Sequence, residues 1–251
     1  MSTIVVVGAG GRIGRAIARY LPSAGHNLVA IDRDLADLES SGFISTESEG
    51  KALFFEVDLY DIEAMDKALA KSLEVFGSID CAIYAAYPTS VGWGAKFEDL
   101  ELINLAEDSK HQIAAPLMFA QRVCSIFQRI GRGNLIFVSS IQGVSMPKFE
   151  HYDGLGLWSP IEYTMGKTAL IAATRYLAKY LGPSGVRVNS ISPGGIISDQ
   201  PEAFRERYKR ETFTKGLLDP ADLLSAFEFL ISDESAFMTG QNLIIDDGWS
   251  L

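Results

Sequence analysis

The chain has 251 residues, 47% of them apolar, which is enough to bury the core of one large α/β domain. Its formal net charge of −10 argues against nucleic acid or an anionic membrane as the main partner, because both select a positive surface. Met1-Ser2-Thr3 runs straight into Ile4-Val5-Val6-Val7 with no signal-peptide pattern, and no later apolar run is long enough to cross a bilayer, so a cytoplasmic protein is expected.

Short apolar runs alternate with helical patterns, the signature of a parallel sheet covered on both faces. Strands are predicted at 4–7, 28–31, 53–57, 81–85, 135–139, 186–191 and 243–245. Helices are predicted to open near Arg12, Leu35, Ile62, Asp108, Glu162 and Pro220, with weaker helical stretches after Lys96 and Pro201. In the long helix 108–130, Ile113, Leu117, Ala120, Cys124 and Phe127 make one apolar stripe; in 163–181, Leu170, Ala173, Leu177 and Leu181 make another. Two such helices can cover the sheet and still offer apolar surface to a second subunit, so a homodimer or homotetramer is expected. With no linker or repeat, the predicted fold class is α/β: a doubly wound, parallel, seven-stranded sheet of the Rossmann type in a single domain over 1–251. Cys81 and Cys124 fall in a strand and on an apolar helix face, as buried reduced thiols do, and His26, His111 and His151 are scattered, so no metal site is expected.

Gly8-Ala9-Gly10-Gly11-Arg12-Ile13-Gly14 follows the first strand and opens a helix, the context a dinucleotide-binding turn requires. Its glycines permit a tight turn and a close approach of backbone to a pyrophosphate at the helix N-terminus. Asp32 closes the second strand, where a carboxylate can accept from both adenosine ribose hydroxyls and repel a 2′-phosphate. NAD is therefore the expected cofactor; NADP stays open because Arg12 and Arg33 stand where a guanidinium can grip that phosphate. The alternative for Asp32 is a helix N-cap.

Tyr163 and Lys167 stand four residues apart on a predicted helix, so phenol and ammonium share a face. At about 4 Å and an effective dielectric near 20, the ammonium is worth roughly 4 kcal/mol, or about 3 pK units in favour of the phenolate. A glycine turn, a following acid, a Ser139-Ser140 strand end and this pair, in that order, are far from a chance combination.

With these residues in view, the chain resembles the short-chain dehydrogenase/reductase family, in its compact single-domain branch, over nearly its whole length. Asp58-Leu59 resembles the family's adenine-contacting pair, Ser139-Ser140 its serine-bearing strand end, and the run Val186 through Gly194 its strand-six signature. Thr239-Gly240-Gln241 and Asp246-Asp247-Gly248 resemble its C-terminal landmarks. The resemblance implies Tyr163 as general acid/base, Lys167 as the residue that depresses the tyrosine pKa and holds the nicotinamide ribose, and Ser140 as the group orienting the reacting oxygen. It implies a cofactor surface of Gly8, Gly10, Gly11, Arg12, Ile13, Gly14, Asp32, Arg33, Asp58, Leu59, Ala85, Tyr163, Lys167, Pro193, Gly194 and Ile196.

Several positions depart from the family pattern. Tyr84-Ala85-Ala86-Tyr87 replaces the usual Asn-Asn-Ala-Gly, and Gln112 stands where the family often has a relay asparagine. The interval from Ser140 to Tyr163 is long and carries Lys148, His151, Tyr152 and Trp158; it is expected to overhang the substrate mouth, the alternative being a surface elaboration. The stretch 203–216 carries Arg205, Arg207, Lys209, Arg210 and Lys215 against Glu206 and Glu211, a local charge reversal in the region of the family's substrate lid. Lid cations would suit an anionic sugar derivative; a solvated helix with internal ion pairs is the alternative. The tail is also similar to family members that serve bacterial surface-sugar and flagellin-glycan synthesis.

The expected function is hydride transfer between a nicotinamide cofactor and a secondary alcohol or ketone. The alternatives are a nucleotide-sugar epimerase or dehydratase, for which the chain is short, and a non-catalytic dinucleotide sensor, which would not need Ser140, Tyr163 and Lys167 together.

Overall fold

The computed structural model describes residues 1–40 and 50–251. Seven strands, β1 (Thr3–Val7), β2 (Asn27–Asp32), β3 (Ala52–Glu56), β4 (Cys81–Tyr84), β5 (Gly133–Val138), β6 (Val186–Pro193) and β7 (Asn242–Ile245), form one sheet in the order β3-β2-β1-β4-β5-β6-β7. Every pairing is parallel. The order reverses between β1 and β4, which opens a crevice beyond the carboxyl ends of the strands.

Strand residues alternate between two cores. On one face Val5, Val7, Val29 and Ile31 pack with α3 (Ile62–Phe76), α5 (Ala115–Ile130) and α6 (Ile161–Leu181) through Met65, Leu69, Phe119, Phe127 and Leu170. On the other, Ile4, Val6, Leu28 and Ala30 pack with α1 (Arg12–Ser23), α2 (Ala36–Ser40) and α8 (Leu224–Ile231) through Ile17, Leu21, Leu38, Phe227 and Leu230. Burial on both faces explains why these strands read as continuous apolar runs. Cys81 and Cys124 are buried free thiols, each pushed up to about 12 by burial.

Most predicted elements recur with ends moved by one or two residues, and four differ more. The predicted helix 108–130 begins earlier, as α4 (Leu102–Ser109), and is interrupted by a π-helical turn at Lys110–Ala114 before α5. Pro116 accounts for the interruption: it has no N–H for the carbonyl four residues back, and the Ala115 N–H instead reaches Lys110 O. The stretch after Lys96 is a single 3₁₀ turn, Phe97–Asp99, and the helix expected at Pro220 starts as a 3₁₀ turn, Pro220–Leu223, before α8. The helix expected from Leu35 is seen as α2; beyond Ser40 it passes outside the described residues. α7 (Glu202–Lys209) opens after Pro201 as predicted.

The strand-six and C-terminal landmarks clamp β6 to β7. Asn189 donates to Met238 O and accepts from Gln241 N, Thr239 Oγ1 accepts from Val188 N, and Arg187 donates to Leu230 O, Met238 O and Ser235 Oγ. These contacts hold the amino-terminal half of β6 against the segment that leads into β7.

Candidate active site

A cavity of ≈ 1000 Å³ runs along the carboxyl ends of the strands, and of the anticipated cofactor residues all but Gly14 line it. Gly14 lies beneath the turn, where a Cβ would come within 2.0 Å of Gly8 O. Gly8 has φ +84°, and a Cβ there would meet Ala86 N at 2.3 Å, so the first glycine lets the end of β1 pack on the loop after β4. At Gly10 a Cβ would lie 2.3 Å from Asp34 O. Gly11 caps α1 through backbone alone, and the first turn of α1 holds no acidic residue. This uncapped helix start in a cradle that side chains would fill fits a pyrophosphate.

Asp32 sits at the tip of β2 with Oδ2 accepting from Gly10 N at 2.9 Å and Oδ1 from Arg33 N at 2.7 Å. It is therefore tied to the glycine turn. The N-cap alternative belongs to Asp34, whose Oδ1 accepts from Ala36 N at 3.1 Å. Arg12 and Arg33 line the same end of the cavity with no side-chain partner among the described residues, whereas Arg15 is engaged with Asp37 and Gly10 O. Asp58 accepts from Tyr60 N, fixing the loop after β3.

At the other end, Ser140 follows β5 while Tyr163 and Lys167 lie on one face of α6, and all three line the cavity. Lys167 is 5% exposed, and its Nζ donates to Val138 O at 3.0 Å. Burial lowers its pKa from 10.5 to about 8. The Nζ lies 5.7 Å from the Tyr163 ring centroid.

The expected depression of the tyrosine pKa is corrected here. Burial raises Tyr163, with hydrogen bonding from Ser140 acting against the rise. Desolvation penalises phenolate and ammonium alike, and the lysine is turned toward the Val138 carbonyl. The balance therefore holds the phenol toward its protonated form.

Three further groups at this end were not anticipated from sequence. Tyr87 lies over Lys167 at 5.1 Å and packs edge-on against Tyr163 at 5.3 Å, backed by Trp93. Gln142 lines the cavity beside Ser140 and bonds to Tyr152 and Ser159. Tyr208 of α7 accepts from Gly195 N at 2.6 Å and steadies the β6 extension. Tyr87 was visible in sequence as a departure from the small residue expected there; the other two had no local signal.

Gln112 lies in the π turn, where its Nε2 donates to Pro88 O at 2.5 Å, so its amide anchors the loop after β4. The close fit of Gly166 against it leaves 2.6 Å between a Cβ there and Gln112 Cβ.

In the long interval after Ser140, Ile141 and Gln142 line the cavity, and Tyr152 and Ser159 bond to Gln142 without lining it themselves. The lid cations do not line the cavity: Arg207 donates to the carbonyls of Glu150, His151 and Asp153, Arg205 to Ser198 O, and Lys215 pairs with Asp222. Arg207 is the lid cation that carbonyls of the interval after Ser140 engage, and no residue of 203–216 is among those lining the cavity, where these cations were expected to meet an anionic substrate. An aromatic cluster of Phe204, Tyr208, Trp249 and His151 joins loop and lid.

A family model described as enoyl-(acyl carrier protein) reductase matches residues 8–250. The chain is 33% identical over 254 residues to post-translational flagellin modification protein A of Campylobacter coli, covering 99% of this chain and 98% of that protein. It is 29% identical over 258 residues to an L-rhamnose 1-dehydrogenase (NAD(P)(+)) of Azotobacter vinelandii, covering 98% and 95%. The structure of a short chain dehydrogenase from Leptospira borgpetersenii with bound NAD+ superposes with a TM-score of 0.86 at 26% identity, covering 100% of this chain and 93% of that one. The chain belongs to the short-chain dehydrogenase/reductase family and is an NAD(P)-dependent oxidoreductase.

Proposed function

We propose that residues 1–251 form one cytoplasmic oxidoreductase unit that prefers NAD and interconverts a secondary alcohol and a ketone at Ser140, Tyr163 and Lys167. The observation that carries this reading is the placement of all three on one wall of a cavity whose far end is the glycine turn and Asp32. When bound, the dinucleotide supplies or accepts the hydride.

The chain's residues do the rest. Backbone N–H groups at Arg12 and Ile13 face the pyrophosphate, Asp32 takes the adenosine ribose hydroxyls, and Asp58, Leu59 and Ala85 surround the adenine. Pro193, Gly194 and Ile196 border the carboxamide, and Lys167 Nζ, anchored on Val138 O, has donors left for the nicotinamide ribose. Ser140 Oγ holds the substrate oxygen, and Tyr163 Oη delivers a proton to it during ketone reduction or removes one during alcohol oxidation. Because burial raises the phenol, the protonated form that can donate to a carbonyl oxygen is the one held at neutral pH, and the form that can take a proton from an alcohol gains as pH rises.

Apolar residues exposed on α5 and α6, among them Met118, Met165, Tyr176 and Tyr180, support a homodimer or homotetramer built on these helices. The name of the L-rhamnose 1-dehydrogenase relative supports a sugar-type substrate.

Tyr163→Phe removes the proton donor without removing the ring. Turnover should fall by about 10²- to 10⁴-fold while NAD still binds. Turnover within about threefold of the parent would leave a dinucleotide-binding role without this chemistry.

A further inference from the structure

We propose that Gln142 determines substrate class: its amide holds a second oxygen on a carbon neighbouring the reacting one, so the substrate is a neutral vicinal diol or the matching hydroxyketone, carried on a ring. The proposal rests on the Ser140–Tyr163–Lys167 reading and extends it to the rest of the substrate.

Gln142 lies on the 3₁₀ turn Ile141–Gly143 that follows Ser140, and its backbone N–H donates to Ser140 Oγ at 3.1 Å. Both side chains therefore belong to one short, rigid piece of wall. The Gln142 amide is held at two points: Oε1 accepts from Ser159 Oγ at 2.5 Å, and Nε2 donates to Tyr152 Oη at 3.3 Å. Tyr152 also has a hydrogen-bonding influence from Ser159, so the three groups close a ring. Ser159 is buried, which fixes the ring against the body of the protein.

A carboxamide carries two N–H hydrogens, and the ring uses one of them. The second has no acceptor among the described residues, although Gln142 lines the cavity. A donor whose orientation is locked by its neighbours, next to the hydroxyl that orients the reacting oxygen, suits recognition of a neighbouring oxygen. The cavity lining also includes the aromatic ring of Tyr87, which is edge-on to Tyr163 and backed by Trp93 at 5.4 Å. A ring polyol presents both features, an edge of oxygens and a face of C–H groups. No charged side chain of the stretch 203–216 is among the residues lining the cavity, so the wall beside Gln142 presents no lid charge to a ligand, which suits a neutral one.

The test compares kcat/KM for trans-vicinal cyclohexanediol and for cyclohexanol, with NAD, in the full chain. The wild-type ratio of diol to mono-alcohol should be about ten or more, the discrimination one oriented hydrogen bond provides. Gln142→Leu should bring that ratio to about one, with Gln142→Met as a second variant should the first fail to fold, and Tyr152→Phe, which opens the ring, should bring it partway. A wild-type enzyme that does not favour the diol, or a folded Gln142 variant that keeps the wild-type ratio, overturns the proposal. The underlying reading fails separately: there, Tyr163→Phe would retain turnover of both compounds, whereas a failure confined to Gln142 leaves Tyr163→Phe inactive.

Discussion

Lys167→Met separates the electrostatic cost of the site from its chemistry. The ammonium is 5% exposed, and its pKa falls from 10.5 to about 8 in the folded chain. A depression of this size means that folding the charged lysine costs roughly 3 kcal/mol relative to folding the neutral amine. Between the two pKa values the unfolded chain holds more protons than the folded one, so this group makes stability rise with pH across that window; below about pH 8 the full cost is present. The Met variant has no such group. The stability of wild type minus that of Lys167→Met should therefore climb by about 2.5 kcal/mol between about pH 7 and about pH 10. Loss of the bond to Val138 O adds an offset and leaves the slope. Urea unfolding of both proteins at a series of pH values reads the difference directly, and the tyrosines raised by burial cancel because both proteins carry them. A difference that stays flat across the window refutes the reasoning, because the ammonium would then be as well solvated in the fold as in the unfolded chain.

Three other outcomes are expected. Gly14→Ala drives a Cβ to 2.0 Å from Gly8 O, so the turn must open; stability should drop by roughly 2 kcal/mol and NAD affinity, read by calorimetric titration, by more than tenfold. Asp32→Ala removes the carboxylate while leaving Arg12 and Arg33 at the cavity edge, and should raise the NADP-to-NAD ratio of kcat/KM by about tenfold in steady-state kinetics. Arg207→Ala breaks the bonds to three carbonyls of the overhanging loop, so thermal unfolding should report a loss of roughly 1–2 kcal/mol and limited proteolysis faster cutting within 148–160.

The sheet was legible because its central strands are buried on both faces and so appear as uninterrupted apolar runs, as Ile4 to Val7 does, while the edge strands β3 and β7 are only partly buried. The glycine turn was legible because its demands are local: no side chain fits at Gly8, Gly10 or Gly14. The break at Lys110–Ala114 was signalled by Pro116, which lies inside the predicted helix 108–130, where a proline leaves the carbonyl four residues back without its donor. The acid–base balance at Tyr163 was misjudged because the spacing to Lys167 reports proximity and says nothing of burial, which governs both groups. The lid charges misled for a related reason: the acceptors that engage Arg207 are backbone carbonyls, which no side-chain pattern reveals. The ring of Gln142, Tyr152 and Ser159 joins residues up to seventeen positions apart through loops, beyond the reach of helix or strand periodicity.

The π turn amounts to one surplus residue spliced into an otherwise continuous rod, and it sets the rotational phase of everything before it. Because each α-helical residue turns the chain by about 100°, excising a single position there would swing α4 by that angle relative to α5. Asp108, now buried and accepting from Ser90 N and Oγ, would leave its seat, and Leu102 and Ile103, now facing outward, would be redirected. The extra residue thus acts as a spacer that lets one rod serve two surfaces with different angular requirements.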